Sequence, residues 1–153
     1  MDKFAALAMA RRMMDAHGLT DWHVKFDRAT RRFGLCTYNT RTISISAPLT
    51  ALNDEDEVLE VVRHEIAHAL VGPGHGHGPV WRAKAREIGS NARRTHSATT
   101  PEGRWVAVCP SCGKTAKFQR RPRAIRACGP CCRAYAGGRY DERFRMTVHP
   151  VTA

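Results

Sequence analysis

Apolar positions in the first part of the chain change from a helical spacing to a strict alternation. Residues 2–17 carry a single apolar stripe and are followed by Gly18, a pattern that predicts a helix with a glycine at its end. Apolar and polar residues then alternate across residues 21–27, 34–38 and 41–46. This period of two predicts three short, half-buried strands.

Helical spacing returns after Pro48, at which the predicted sheet region ends. A second helix is predicted from Asn53 or Asp54, because the acidic residues that follow suit the positive end of the helix dipole. Residues 72–74, Gly-Pro-Gly, stop this helix, and Pro79 opens another one that runs to Ile88. The predicted buried stripe of the second helix comprises Val58, Leu59, Val62, Ile66, Ala69 and Leu70.

The second part of the chain has a different pattern. Residues 93–103 are polar and predict a linker between a domain at 1–92 and a β-rich module at 104–148. Within the module, alternation predicts strands at residues 105–108, 115–119 and 143–148. Helices and a small sheet in the first domain make the predicted fold class α+β. The module is too short to build much core, so we expect a bound metal to stabilise it.

A metal-binding motif lies within the second predicted helix, where His64, Glu65 and His68 form the pattern H-E-x-x-H. Residues four apart share one face of a helix, so both imidazoles can reach one metal ion. The glutamate can accept a proton from a metal-bound water, which predicts that Glu65 is a general base. Such a site needs a third protein ligand, and His75 and His77 are nearly equal candidates by spacing alone.

The cysteines follow the spacing of a structural zinc site. Fifteen residues separate two C-x-x-C pairs, which comprise Cys109, Cys112, Cys128 and Cys131. Cys132 is an alternative to Cys131, although the two-residue spacing and a predicted turn at Gly129-Pro130 favour Cys131. With the histidines, this pattern predicts two zinc ions per chain, one catalytic and one structural. Cys36 lies in a predicted strand, and we expect it to be a buried thiol.

Charge indicates a polyanionic partner. The sequence has 25 basic and 14 acidic residues, a net charge of +11 that favours nucleic acid binding. Four arginines lie between the cysteine pairs, at positions 120, 121, 123 and 126. They could contact phosphates while Trp105, Phe118 and Tyr135 stack on unpaired bases. A solvated basic loop with these aromatics in the core of the module explains the same residues equally well.

The sequence contains no run long enough to span a membrane. Residues 4–10 are apolar, but Asp2 and Lys3 give no net positive start, and Arg11 and Arg12 follow at once, unlike a secretory signal. Unpaired cysteines fit a reducing compartment. We therefore expect a cytoplasmic protein, and a monomer.

Residues 64–89 resemble the SprT-like, or Spartan-like, metalloprotease family. In that family H-E-x-x-H is joined to a later H-G-x-x-W or H-G-x-x-F, whose histidine is the third metal ligand. Here His77, Gly78 and Trp81 fit this pattern, whereas His75 has Pro79 at the aromatic position and does not fit. The resemblance therefore implies that His64, His68 and His77 hold the catalytic zinc.

Other parts of the chain agree with this resemblance. The Trp22 segment, the G-x-C of residues 34–36 and the I-x-I-S of residues 43–46 are similar to strands of the family, with Ser44 and Ile45 as mild variations. The family also often carries a C-terminal pair of C-x-x-C motifs.

The resemblance implies a zincin-like domain followed by a zinc ribbon. The expected function is that of a zinc-dependent endopeptidase acting on proteins bound or crosslinked to DNA. The alternatives are a nucleic-acid-binding module whose protease fold does not cleave, which the intact Glu65 disfavours, and a zinc-stabilised adaptor.

Overall fold

The computed structural model describes residues 1–95, 98–124 and 126–151. The chain forms two compact units, Met1–Pro101 and Glu102–Ala153. The first unit extends past the predicted domain boundary at residue 92. Within it, the Asn53 side chain accepts a hydrogen bond from Thr99 N at 2.7 Å and donates one to Thr99 O at 2.9 Å.

The first unit combines helices with a three-stranded sheet. Its helices are α1 (Lys3–Ala16), α2 (Ala47–Leu52), α3 (Glu55–Val71) and α4 (Pro79–Glu87). Its strands are β1 (His23–Asp27), β2 (Gly34–Thr37) and β3 (Thr42–Ser46). The helices and strands predicted for this part of the chain are confirmed to within a few residues, with α2 as the addition.

The sheet places β3 in the centre, in the order β1-β3-β2. Strand β1 runs parallel to β3 and β2 runs antiparallel to it, with Gly34 opposite Ile45 and Cys36 opposite Ile43. All five residues of β3 are buried, as expected of a central strand covered on both faces. Strand β2 is therefore an edge of the sheet.

Helix α3 crosses the first unit as its longest element. Asp54 caps its N-terminus by accepting a hydrogen bond from Glu57 N at 2.9 Å, and Gly72 ends it with a φ of 80°. The predicted start and stop are thus confirmed. Val58, Val62 and Ile66 are fully buried, as expected, in an apolar core shared with α1 and β3. Leu59, Ala69 and Leu70 are only partly buried, and Val61 and Ala67 are buried in their place.

Helix α2 is absent from the sequence interpretation, in which Pro48 only ends the sheet. Ser46 ends β3 and at the same time caps α2, because its hydroxyl accepts a hydrogen bond from Leu49 N at 3.1 Å. Pro48 lies in the first turn of this helix, where its missing N–H costs nothing. The proline therefore opens a helix as well as closing the sheet.

The second unit is an antiparallel sheet with one short helix. Its strands are β4 (Trp105–Val108), β5 (Thr115–Phe118) and β6 (Thr147–Pro150), in the order β5-β4-β6. A 3-10 turn, Glu142–Phe144, occupies the start of the segment predicted as the third strand. Helix α5 (Gly129–Tyr135) lies where the sequence interpretation has a Gly129-Pro130 turn, because Pro130 fits the first turn of a helix.

The predicted α+β class is confirmed, since small sheets and helices occur together and a cysteine cluster lies in the second unit. Within the described parts of the chain, every helix falls short of the length and apolar character that a membrane span requires.

Candidate metal centres

Three imidazoles converge at one point of the first unit. Helix α3 carries His64 and His68 one turn apart, with ring centroids separated by 5.0 Å. His77 comes from the loop before α4, and its Nε2 lies 3.0 Å from that of His64 and 3.2 Å from that of His68. A tetrahedral ion with Zn–N bonds of 2.0–2.1 Å separates its nitrogen ligands by roughly 3.3 Å. The three nitrogens therefore fit one metal ion of this size.

The loop between α3 and α4 directs His77, and not His75, toward the other two histidines. Gly76, with a φ of 48°, allows the backbone to turn immediately before His77. His75 is exposed and lies outside the group of three, whose ligand atoms are all within 4.8 Å of one another. Spacing alone left this choice open, and the resemblance favoured His77.

Trp81 supports all three imidazoles from below. It is fully buried in α4, and its ring centroid lies 4.6 Å from His64, 5.1 Å from His68 and 4.6 Å from His77. The indole stacks on the His68 ring at an interplanar angle of 26°. Trp81 is therefore a packing residue against which all three imidazoles lie.

The surroundings favour neutral imidazoles, which is the form that binds metals. Burial, followed by the field of His77, lowers the pKa of His68 to about 4. Burial also lowers the pKa of His77, with further contributions from the charges of Arg94 and Arg82. Ligand nitrogens that stay unprotonated near neutral pH leave their lone pairs free for an ion.

Glu65 is the buried acid of this site, with a side chain only 7% exposed. Burial raises its pKa to about 7, although the charge of Arg32 and a hydrogen bond from the Cys36 backbone act in the opposite direction. A carboxyl group with a pKa near neutrality can both accept and return a proton. The arrangement suits the predicted role of general base.

Gly34 of β2 makes room for Glu65, a role that sequence analysis missed. A Cβ atom at position 34 would lie 2.4 Å from Glu65 Oε1 and 2.6 Å from its Cγ. Only glycine leaves space for the carboxyl group against the edge strand. The G-x-C pattern contained the signal, but only as a likeness to other sequences and without a physical reason.

These groups open into a cleft of about 530 Å³. Its lining includes the three histidines, Glu65, the edge-strand residues 34–36, Tyr38 and four arginines at positions 31, 32, 93 and 94. Cys36 is half-buried within this lining, and burial raises the pKa of its thiol to about 12. Cys36 was expected to be buried, but it is only half-buried, because it borders the cleft, and its thiol is uncharged.

A second group of ligand atoms forms in the second unit. The sulfur atoms of the group lie within 4.8 Å of one another and belong to Cys109, Cys112, Cys128 and Cys131. Cys109 Sγ is 3.9 Å from Cys131 Sγ, and Cys112 Sγ is 3.6 Å from Cys128 Sγ. Tetrahedral Zn–S bonds of 2.3 Å separate the sulfurs by roughly 3.8 Å. Both groups could therefore hold metal ions, and their donor atoms suit zinc.

Cys132 is buried in α5 but does not belong to this group. Cys131 brings its sulfur to the other cysteines, whereas the next residue points about 100° further around the helix. Backbone N–H groups of Cys112 and Ser111 lower the pKa of Cys109 to about 7, which favours its thiolate form.

Comparison with known proteins bears on the first unit. The sequence model of the SprT-like family matches residues 6–101, more than half of the 153 residues. No curated protein matches the chain. The matched segment contains the three histidines and Glu65, with Gly34 and Trp81 around them, and the chain belongs to the SprT-like family.

Proposed function

We propose that this chain is a zinc-dependent endopeptidase in which His64, His68 and His77 hold the catalytic zinc and Glu65 is the general base. One observation carries the proposal: a buried carboxyl group with a pKa raised to about 7 adjoins three converging imidazole nitrogens in an open cleft. Metal ligands alone would need no such acid. Membership of the SprT-like family supports a metalloprotease-type domain.

The chemistry divides between metal and protein. When bound, zinc supplies Lewis acidity, which lowers the pKa of a water molecule and polarises the scissile carbonyl. Glu65 accepts the proton of the attacking water and then donates it to the leaving amine, a sequence that its raised pKa favours. Gly34 and the Cys36 backbone hold the carboxyl group in position for both transfers.

The substrate chain is proposed to bind along β2. This strand is an edge of the sheet and lines the cleft with residues 34–36. An extended peptide can add to such an edge through main-chain hydrogen bonds, which recognise a polypeptide of any sequence. Peptide binding there would bring a scissile bond next to Glu65.

Glu65→Gln tests this function. Glutamine is nearly isosteric but cannot accept the proton of water, so cleavage of casein should fall on the order of a hundredfold or more. Metal content by elemental analysis and the far-UV circular dichroism spectrum should both match wild type. Full activity of this variant, or a wild-type protein that binds zinc and never cleaves, would refute the proposal.

We further propose that the natural substrates are proteins bound to DNA and that the second unit, with its own structural zinc, contacts the nucleic acid. A cavity of about 1120 Å³ in this unit is lined by Arg120, Arg121, Arg123, Arg126, Arg145 and His149, among others. Arg121 lies 5.6 Å from the centroid of Trp105, and Arg126 lies 5.4 Å from that of Phe118. These cation–π contacts hold basic groups at a surface that suits phosphates.

DNA dependence can be tested with the same assay. Single-stranded DNA added to wild type with a DNA-binding substrate such as histone should raise the rate of cleavage, whereas cleavage of a short free peptide should not change. Equal rates with and without DNA on both substrates would remove DNA from the proposal. None of the six cysteines forms a disulfide bond. This suits a reducing compartment, and a cytoplasmic location stays a prediction.

A further inference from the structure

Two pairs of exposed arginines border the cleft that contains the histidines and Glu65. One pair precedes strand β2, and the other follows helix α4. These residues, called the cleft arginines below, are Arg31, Arg32, Arg93 and Arg94. The proposed catalytic steps use none of them, so their place in the lining needs its own explanation.

The segment that carries Arg93 and Arg94 is anchored to α3. Glu60 accepts hydrogen bonds from Ser90 Oγ at 2.6 Å and from Asn91 N at 3.1 Å. The Asn91 side chain in turn accepts one from Arg93 N at 2.8 Å. Between them, Ala92 is buried with a φ of 55°, a conformation that alanine rarely adopts without such support. These hydrogen bonds fix the conformation of the loop on this side of the cleft.

The segment that carries Arg31 and Arg32 is also fixed. Asp27 accepts a hydrogen bond from Ala29 N at 2.9 Å and pairs with Arg32 at 2.6 Å. Ser46 Oγ, at the end of the central strand, donates to Ala29 O at 2.6 Å. Both arginine pairs therefore start from backbone that the fold holds in place beside the cleft.

The charge of this lining is unbalanced. Among the described residues that line the cleft, Glu65 is the only acid, and it is almost completely buried. Arg32 has Asp27 as a partner, whereas Arg31, Arg93 and Arg94 form no ion pair within the described parts of the chain. Positive side chains around a concave site concentrate a positive potential where the substrate would lie.

We propose that the cleft arginines select polypeptide segments with Asp or Glu close to the scissile bond. This selectivity rests on the endopeptidase function proposed above. A polypeptide is the favoured ligand because the arginines share the cavity with Glu65 and with edge-strand residues 34–36. The volume of about 530 Å³ also suits a few peptide residues rather than a nucleic acid duplex.

The test uses peptides and one variant that leaves the catalytic groups intact. Fluorescent peptides share one sequence and differ only in the residues on both sides of the central bond, which are Asp, Asn or Lys. The variant is Arg31→Gln with Arg93→Gln, because Arg32 acts on the pKa of Glu65 and Arg94 on that of His77. Arg120→Gln with Arg123→Gln, in the other unit, removes the same charge and is the matched control.

Wild type should cleave the Asp peptide with a KM about tenfold below that of the Asn peptide, with kcat little changed. In the double variant, the ratio of the two KM values should fall about threefold for each arginine that is replaced. Changes of this size are expected for partly exposed charge pairs. The control variant should keep the preference. In wild type, the preference should shrink as salt increases from about 50 to about 500 mM.

Binding measured by fluorescence anisotropy to the Glu65→Gln protein separates this proposal from the protease function. If wild type cleaves nothing and the Asp peptide still binds tightly in an arginine-dependent manner, the selectivity stands and the endopeptidase function fails. Equal binding of the Asp and Asn peptides would overturn the selectivity. So would a double variant that keeps the peptide preference but loses affinity for single-stranded DNA, since the arginines would then bind phosphates.

Discussion

The two units differ in how their metal-binding groups relate to apolar packing. In the first unit, a core built from helices and the central strand contains none of the three histidines, which lie half-buried beside it. In the second unit, the buried cluster consists of Cys109, Cys128, Cys131, Cys132 and Phe144. Three of the four proposed ligands therefore belong to this core. A metal ion held by the histidines would be an addition to the first fold, whereas one held by the cysteines would be part of the core of the second.

Because of this difference, the two sites contribute differently to the stability of their units. A site placed beside an independent core can keep strained or buried groups, such as Glu65 against Gly34, because apolar packing elsewhere supplies the stability. A site that replaces the core must keep its four ligands satisfied, because little else holds the strands together.

Removal of metal should unfold the second unit and leave the first one folded. Cys112→Ser should have the same effect as chelation on the second unit, since Cys112 is exposed and its replacement costs little packing. The expected loss is on the order of 10 kcal/mol of apparent stability. Hydrogen exchange followed by mass spectrometry should report full exchange in β4 and β5 and continued protection in β3 and α3.

Two control variants sharpen this result. Cys132→Ser alters a buried cysteine outside the group of four and should keep both metal ions. His68→Ala should remove the ion of the first unit without loss of protection in α3. A chain in which both units lose protection together on chelation would contradict the comparison.

Within the first unit, His77→Ala should remove the ion, and His75→Ala should not. His77 Nε2 lies 3.0 Å and 3.2 Å from the two partner nitrogens, whereas His75 is exposed. Loss of a direct ligand should lower zinc affinity by more than the about 10–100-fold typical of an outer partner. Competition with a chromophoric chelator measures this affinity, and the reverse result would make His75 the third ligand.

Gly34→Ala should reduce cleavage on the order of a hundredfold while metal content stays unchanged. The added Cβ would lie 2.4 Å from Glu65 Oε1, so the carboxyl group must move, and displacements of about 1 Å carry penalties of this size. Ile45→Val, on the strand residue opposite Gly34, is the control for simple destabilisation, at a cost of about 1 kcal/mol. If both variants lose activity equally, Gly34 serves the fold and not the site.

The sequence predicted most of the first unit because its signals are local. Helix periodicity, the Asp54 cap and the glycine stop determine α3, and a spacing of four residues places His64 and His68 on one face. The effect of Gly34 on Glu65 could not be predicted, because it depends on a contact between residues 31 positions apart. The segment with Arg93 and Arg94 was predicted to be a linker because its anchor is also distant in sequence. Glu60 of α3 holds it through a hydrogen bond from Ser90, 30 positions away.

For the second unit, the sequence predicted the metal-binding group but not all of the secondary structure. Cysteine spacing indicated the metal group, because C-x-x-C pairs are a strong local signal. Helix α5 was not predicted, because Gly129 and Pro130 are typical of a turn. Proline also fits the first turn of a helix, and only the folded arrangement of the cysteines distinguishes the two cases. The 3-10 turn before β6 similarly displaced a predicted strand by several residues.

The smallest expected effect concerns the basic loop of the second unit. Replacement of Arg120, Arg121, Arg123 and Arg126 by Gln should weaken DNA binding roughly equally for all sequences, because phosphate contacts carry no sequence information. The slope of log affinity against log salt should fall by up to about one unit for each arginine–phosphate pair that is removed.

A control variant with Lys at the same four positions keeps the charge and should restore the slope. It should do so even though the interactions of Arg121 with Trp105 and of Arg126 with Phe118 are altered. Cleavage of a short peptide without DNA should be unchanged in both sets, since none of these arginines lines the cleft of the first unit. Wild-type affinity and slope in the Gln set would mean that the loop is only solvated, and the DNA-binding face would then be sought among the arginines of the first unit.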